Sequence, residues 1–326
     1  MAAFDIDQLF HQLAGMKVGV VGDLMLDTYW WGNVDRISPE APVPIVALSR
    51  REQRIGGAGN VALNIIAFGA EASVISVLGK DKEGEQLSEL IKQNHIKTGY
   101  LVHSEHRITT NKTRIISRNQ QMMRLDAEMA DDLCKEDEDR LIYAFESFIS
   151  AESPDVVILE DYNKGVLTST VITAITELCR KRQIITAVDP KRKNFFAYNG
   201  VDLFKPNLKE AREGLNILSE AVNINLLKDI HVLLEETLHH KVSLITLSEK
   251  GIFYQGGDQS GLIPAKLHQV ADVSGAGDTV IAVASLVYAA TKDIELMAGI
   301  ANIAGGLVCA EVGTVAVDVE KLKALC

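Results

Sequence analysis

The chain has 326 residues, 47% of them hydrophobic and 24% charged, with 33 basic against 44 acidic side chains and a net charge of −11. That composition supports a large core under a polar surface and leaves no disordered tail or flexible linker. An acidic surface repels nucleic acid and anionic lipid, and no run reaches the roughly 18 apolar residues of a membrane span, so neither partner is expected.

The first ten residues, MAAFDIDQLF, carry two acids and no apolar stretch of the kind a secretory signal needs, and residues 5–14 read as a short leading helix. Val18–Val21 is a buried strand ending at Gly22-Asp23. The segment 29–48 holds Trp30, Trp31, three prolines and alternating Val/Ile, and reads as extended structure outside the main pattern. From Gly56 helices and strands alternate. Asn60–Phe68 is helical, Ser73–Leu78 is a strand, and Asp81 caps a helix to about Asn94. Residues 99–125 are strand-like and rich in turns. Further strands fit at 155–159, 184–188, 202–204 and 242–247. Helices fit at 136–150, 168–182, 207–214, 219–238, 277–291 and 293–311. Apolar strands alternating with amphipathic helices imply a doubly wound α/β fold, a mostly parallel sheet with helices on both faces. The expectation is one domain over 1–326, with a small β lid formed by about 29–50 and 99–125. Cys134, Cys179, Cys309 and Cys326 show no Cys-x-x-Cys spacing and no cluster with histidine. They read as free thiols in a reducing compartment, which makes the expected location cytoplasmic.

Three short patterns carry chemistry. Gly275-Ala276-Gly277-Asp278 opens a helix. A glycine turn exposes backbone N–H groups, the helix N-terminus adds partial positive charge, and together they suit a migrating phosphoryl group. Asp278 at the same end can accept a proton from a sugar hydroxyl. Gly56-Gly57-Ala58-Gly59-Asn60 begins another helix, where glycines admit a ligand to the backbone and Asn60 offers a donor and an acceptor. Asn207-Leu-Lys-Glu210 places two polar ends on one helical face, suited to hydrated Mg²⁺ or, equally, to a capping box. Each pattern also reads as an ordinary helix start. The Rossmann fingerprint is missing, which counts against a dehydrogenase, and with no Walker A motif any ATP must be held another way.

Taken in order over about 220 residues, the three patterns resemble the ribokinase-like (PfkB) carbohydrate kinases, with one signature from Gly56 through Gly69 to Gly79 and the other from Asp272 to Asp278. The resemblance implies an ATP-dependent sugar kinase with Asp278 as base, a β lid, and Mg²⁺ and K⁺ as ions. It assigns Asn207, Glu210 and Asp272 to metal. It assigns Asn207, Lys191, Ser248, Gly251 and Asn302 to the nucleotide. Within the family, Gly22–Asp27, Arg36–Pro44, Ser117–Gln121 with Arg124–Asp126, and Asp161–Gly165 are similar to the branch acting on D-glycero-D-manno-heptose 7-phosphate. Asp23, Asp27, Gly56, Gly57, Asn60, Asp161 and Lys164 are then expected at the sugar. Lys112, Arg114 and Arg118 share strand parity and form a cationic face for its phosphate, with Arg36 opposite. Relatives often carry a fused nucleotidyltransferase, and this chain reads as the kinase alone. The aromatic lid also implies a homodimer clasped through it. The alternatives are another sugar or sugar-phosphate kinase of the same fold, or a sugar sensor on a kinase scaffold. Intact Asp278 and glycines speak against the sensor.

Overall fold

The computed structural model describes residues 5–118, 120–219, 222–265 and 271–326. Residue 119 of the Ser117–Gln121 run and residues 220 and 221 of the helix expected at 219–238 lie outside them. In chain order the elements are α1 (Ile6–Leu13), β1 (Lys17–Gly22), β2 (Leu24–Ile37), β3 (Pro44–Gly57), α2 (Ala58–Ala67), β4 (Glu71–Gly79), α3 (Lys82–Gln93), β5 (Lys97–Ser104), β6 (Asn111–Ser117), β7 (Gln120–Ala127) and α4 (Lys135–Glu152). Then come β8 (Val156–Glu160), α5 (Ser169–Arg182), β9 (Ile185–Asp189), β10 (Leu203–Phe204), α6 (Leu208–Leu215), α7 (Ile224–Leu238), β11 (Val242–Thr246), β12 (Ile252–Gly256), β13 (Gln259–Ile263), α8 (Ala276–Thr291), α9 (Ile294–Val308) and α10 (Val319–Leu325).

Among the described residues the main sheet runs β13-β12-β11-β10-β9-β8-β1-β4-β5, parallel except that β12 pairs antiparallel with both β11 and β13. The chain moves from β1 outward to β4 and β5, then returns to the other side of β1 as β8. That reversal is the topological switch point, and the carboxyl ends of β1 and β8 border the crevice where open α/β sheets bind ligands.

Strand alternation sorts the core into two layers. Val20, Ile158, Ala187 and Leu203 face α1, α2, α8 and α9. Val21, Leu159, Val188 and Phe204 face α4, α5 and α7. Strands buried on both faces need continuous apolar runs, which is why β1, β8 and β11 could be read directly from sequence.

The second sheet, in the order β3-β2-β6-β7, holds most of the two segments expected to form a lid. It grows straight out of β1, since β2 begins two residues after β1 ends. Residues 97–104 do not belong to it. They form β5, the parallel edge of the main sheet against β4. The hairpin β12–β13 and the helix α10 add elements beyond those expected. Asp81 caps α3 as expected, accepting from the Gly84 amide at 2.8 Å. Among the described residues, no helix is long and apolar enough to cross a membrane.

Candidate active site

Gly275 opens α8 with φ 79°, a left-handed conformation that glycine adopts without strain. A Cβ there would also stand 2.6 Å from the Asn60 side-chain nitrogen. The turn and α2 therefore meet closely, and the meeting fixes Asp278. Asn60 donates from Nδ2 to Asp278 Oδ2 at 2.8 Å. Tyr162, just past β8, donates its hydroxyl to Asp278 Oδ1 at 2.6 Å. The carboxyl is 3% exposed. Burial raises its pKa above the usual aspartate value, more than the two hydrogen bonds lower it. A carboxylate so placed is a poised proton acceptor at a helix N-terminus.

Tyr162 was quoted in the sequence only as part of a run, yet it joins three groups. Its hydroxyl meets Asp278, and Lys112 and Lys191 lie over its ring at 5.4 and 5.6 Å from the centroid. Lys112 forms no ion pair among the described residues, and burial lowers its pKa. Lys191 is different: it pairs with Asp189 at 3.2 Å and Glu210 at 2.9 Å. Lys205, which sequence reasoning did not select, is 2% exposed and pairs with Asp189 at 2.7 Å. A Cβ built on Gly277 would lie 3.5 Å from Asp189 Oδ2 and 3.7 Å from Lys205 Nζ, so this ion pair sits directly under the glycine turn. The signal that could have found Tyr162 and Lys205 is their position just past buried strands, at the ligand edge of the sheet.

On the lid side, Arg114 donates to Asp27 at 2.5 Å and stacks over Tyr29. Gly56 leaves room for Asp27, since a Cβ there would come 2.5 Å from Asp27 Oδ2. Gly57, at φ 60°, has the Asp23 carbonyl against it. The structure thus links Asn60, Gly275 and Asp278 through direct contacts, joins Lys112 to Asp278 through Tyr162, and sets Gly56 and Arg114 against Asp27.

Other expected groups are committed elsewhere. Asp23 accepts from the Tyr162, Lys164 and Val166 amides, so it staples the loop after β8. Asp161 points to the opposite sheet face, where it accepts from Tyr198 and the Asn163 amide; burial pushes its pKa up to about 6. Lys164 pairs with Glu128 at 2.8 Å. Arg118 lies in the turn after β6 with φ 49°, its side chain 77% exposed near Asp35. The parity argument fails there because the strand has ended. Arg36 is exposed near the tip of β2, roughly 30 Å of strand from Asp27. Neither arginine joins Lys112 and Arg114 in one chain.

Asn207 and Glu210 form a complete capping box, Asn207 Oδ1 accepting from the Glu210 amide and Glu210 Oε2 from the Asn207 amide. With Oε1 on Lys191, both Glu210 oxygens are engaged, and no group of three or more His, Cys, Asp or Glu among the described residues could hold a metal. Direct ligation by this pair does not fit. Contact through the water shell that Mg²⁺ retains does fit. Asp272 accepts from the Ser274 and Gly313 amides, which outweigh its burial and hold it below the usual carboxylate range. Ser248 and Gly251 form the tight turn after β11. Asn302 donates to the Pro264 carbonyl at 2.9 Å.

The family match agrees with this geometry. The model described as pfkB family carbohydrate kinase matches residues 16–322, and the chain belongs to that family. That family is one of carbohydrate kinases, and the fold is ribokinase-like. Among curated relatives, it is 37% identical to "Bifunctional protein HldE" of Sulfurimonas denitrificans over 94% of the chain and 63% of that protein. It is 40% identical to the protein of the same name from Desulfatibacillum aliphaticivorans, over 94% of the chain and 62% of that protein. The chain therefore spans a little under two thirds of these relatives' length. Among solved structures, phosphofructokinase-2 from Escherichia coli in complex with potassium aligns with a TM-score of 0.79 at 19% identity, over 95% of this chain and 98% of that one. The Arabidopsis thaliana ribokinase complexed with ribose and ATP aligns at 0.73 and 16%, again over 95% and 98%.

Proposed function

We propose that the chain transfers a phosphoryl group from ATP to O1 of D-glycero-D-manno-heptose 7-phosphate. The product is heptose 1,7-bisphosphate, a precursor for ADP-heptose and lipopolysaccharide. In this reading Asp278 takes the proton of the sugar hydroxyl while the new O–P bond forms and the bond from phosphorus to the departing ADP oxygen breaks. The Gly275–Gly277 turn and the α8 N-terminus face the charge on the group in transfer. Asp27 holds sugar hydroxyls, with Arg114 aiming it. Mg²⁺ supplies charge neutralisation at the phosphates when bound, held through water by Glu210, and K⁺ belongs beside Asp272.

The observation that supports a phosphorylated substrate is Lys112. It is a half-buried amine without an ion-pair partner among the described residues, separated from the base by one tyrosine side chain. A charge-assisted contact to phosphate contributes about 1.5–3 kcal/mol, or roughly ten- to a hundredfold in binding. Lys112→Ala is therefore expected to lower kcat/KM for heptose 7-phosphate at least about tenfold and to leave turnover of unphosphorylated heptose nearly unchanged. Equal losses on both sugars would make Lys112 structural. Phosphorus NMR of the product, showing a phosphate on the anomeric oxygen, tests the site of transfer.

The same reading gives the protein a homodimer clasped through the lid. β7 is exposed along its whole length, and Ile37, Val43, Met123 and Leu125 stand 61%, 52%, 55% and 47% exposed. An apolar sheet with an open edge invites a second copy. Light scattering at micromolar concentration should give twice the chain mass, and a monomer would remove the clasp.

A further inference from the structure

Side chains alternate along a strand, so Glu160 follows Ile158 and Asp189 follows Ala187 onto the sheet face that α8 covers, and Lys205, just past β10, reaches Asp189 there at 2.7 Å. Glu160 and Asp189 are register partners on adjacent parallel strands. The result is a buried row of acid, acid and ammonium at the carboxyl edge of the sheet, beneath the N-terminus of α8. Asp189 is fully matched: Lys205 and Lys191 outweigh its burial and hold it below the usual carboxylate range. Glu160 is not matched. It is 0% exposed, and neither carboxyl oxygen has a hydrogen-bond partner among the described groups.

A buried ionised carboxylate with no donor costs far more than a neutral one, and a second carboxylate across the register worsens the charged form further. The groups around Glu160 are Asp189 and Lys191 from the end of β9, Lys205 from the end of β10, and Asp278 from α8. On its own segment stand Asp161 and Tyr162. Tyr198 also feels its charge. Burial raises the Glu160 pKa well above the usual glutamate value; Asp189 and Asp278 add to the rise, and Lys191 and Lys205 only partly oppose it.

We propose that Glu160 is a positioning residue that works as a neutral acid: uncharged, it leaves the floor of the transfer site tolerant of a phosphoryl group, and its ionisation closes that site to anions. This rests on the kinase reading of Asp278. With Glu160 neutral, the two lysines beneath the glycine turn balance Asp189 and Glu210. With Glu160 charged, the floor gains one negative charge in a place that water does not screen.

The test compares wild type with Glu160→Gln in two measurements. The first is kcat/KM against pH, using ATP and the sugar phosphate that the wild type turns over fastest. The wild type should lose activity about tenfold per pH unit above the ionisation of one group, and Glu160→Gln should move that alkaline limb up by more than about one pH unit or abolish it. The second is denaturant stability against pH. A folded state that holds a proton the unfolded chain has released loses stability as pH rises from the unfolded glutamate pKa toward the folded one. Glu160→Gln should therefore gain on wild type as pH rises above the unfolded glutamate pKa. If the amide does not fold, Glu160→Ala removes the acid, and the wild-type stability profile can still be read. An alkaline limb at the same pH in both proteins overturns the proposal, and so does a stability difference that does not change with pH. If the wild type phosphorylates no sugar, the substrate reading fails alone, and the stability measurement still decides the charge of Glu160.

Discussion

Asp278→Asn should lower turnover by about 10²–10⁴-fold, the range for losing a general base, while nucleotide and sugar binding stay close to wild type. The substitution is isosteric, and an amide oxygen can still accept from Tyr162 or from Asn60. What disappears is a proton acceptor at the end of α8. Single-turnover kinetics with separate binding titrations would read the difference, and a variant keeping a third of wild-type turnover would remove Asp278 from the chemistry. Tyr162→Phe makes a useful partner. It removes a donor that favours ionised Asp278, so the acid limb of kcat/KM should move to higher pH while the base itself remains.

The second large effect is on stability. The Arg114–Asp27 pair spans 2.5 Å with side chains only 14% and 3% exposed. Removing one partner of a buried pair leaves an uncompensated charge and typically costs about 3–5 kcal/mol. Arg114→Ala should show a loss of that size in urea unfolding. Adding Asp27→Asn should restore part of it, because the stranded charge is then gone. A double variant whose loss is the plain sum of the two singles would mean the pair is not coupled. Turnover of phosphorylated and unphosphorylated sugars should fall together in Arg114→Ala, since the arginine acts through Asp27. This shifts the phosphate-reading role from the Lys112–Arg114–Arg118 face expected from strand parity to Lys112.

Asp278 and its glycine turn could be named from the sequence because everything they need is local: two glycines, a carboxylate and an apolar helix within sixteen residues of one another. The buried strands β1, β8 and β11 were legible for the same reason. Asn60 could be named, but its bond to a residue 218 positions away could not. Residues 97–104 are half-buried and mixed in pattern, so periodicity alone did not separate a main-sheet edge from a lid strand.

Tertiary structure decided the rest wherever function depends on which oxygen is already used or which strand ends are neighbours. Asp23, Asp161, Glu210 and Asp272 are all plausible ligands as letters, and each is committed to backbone amides or a nearby lysine or tyrosine. Glu160, Tyr162 and Lys205 carry no motif. They matter because parallel pairing sets β8, β9 and β10 side by side under α8. The sequence by itself determined the alternation of elements, the family and the glycine turn that carries Asp278, because these follow from short-range pattern. The charge row beneath Asp278 depends on which strands pair, and the bond from Tyr162 to Asp278 joins residues 116 positions apart, which no local pattern encodes.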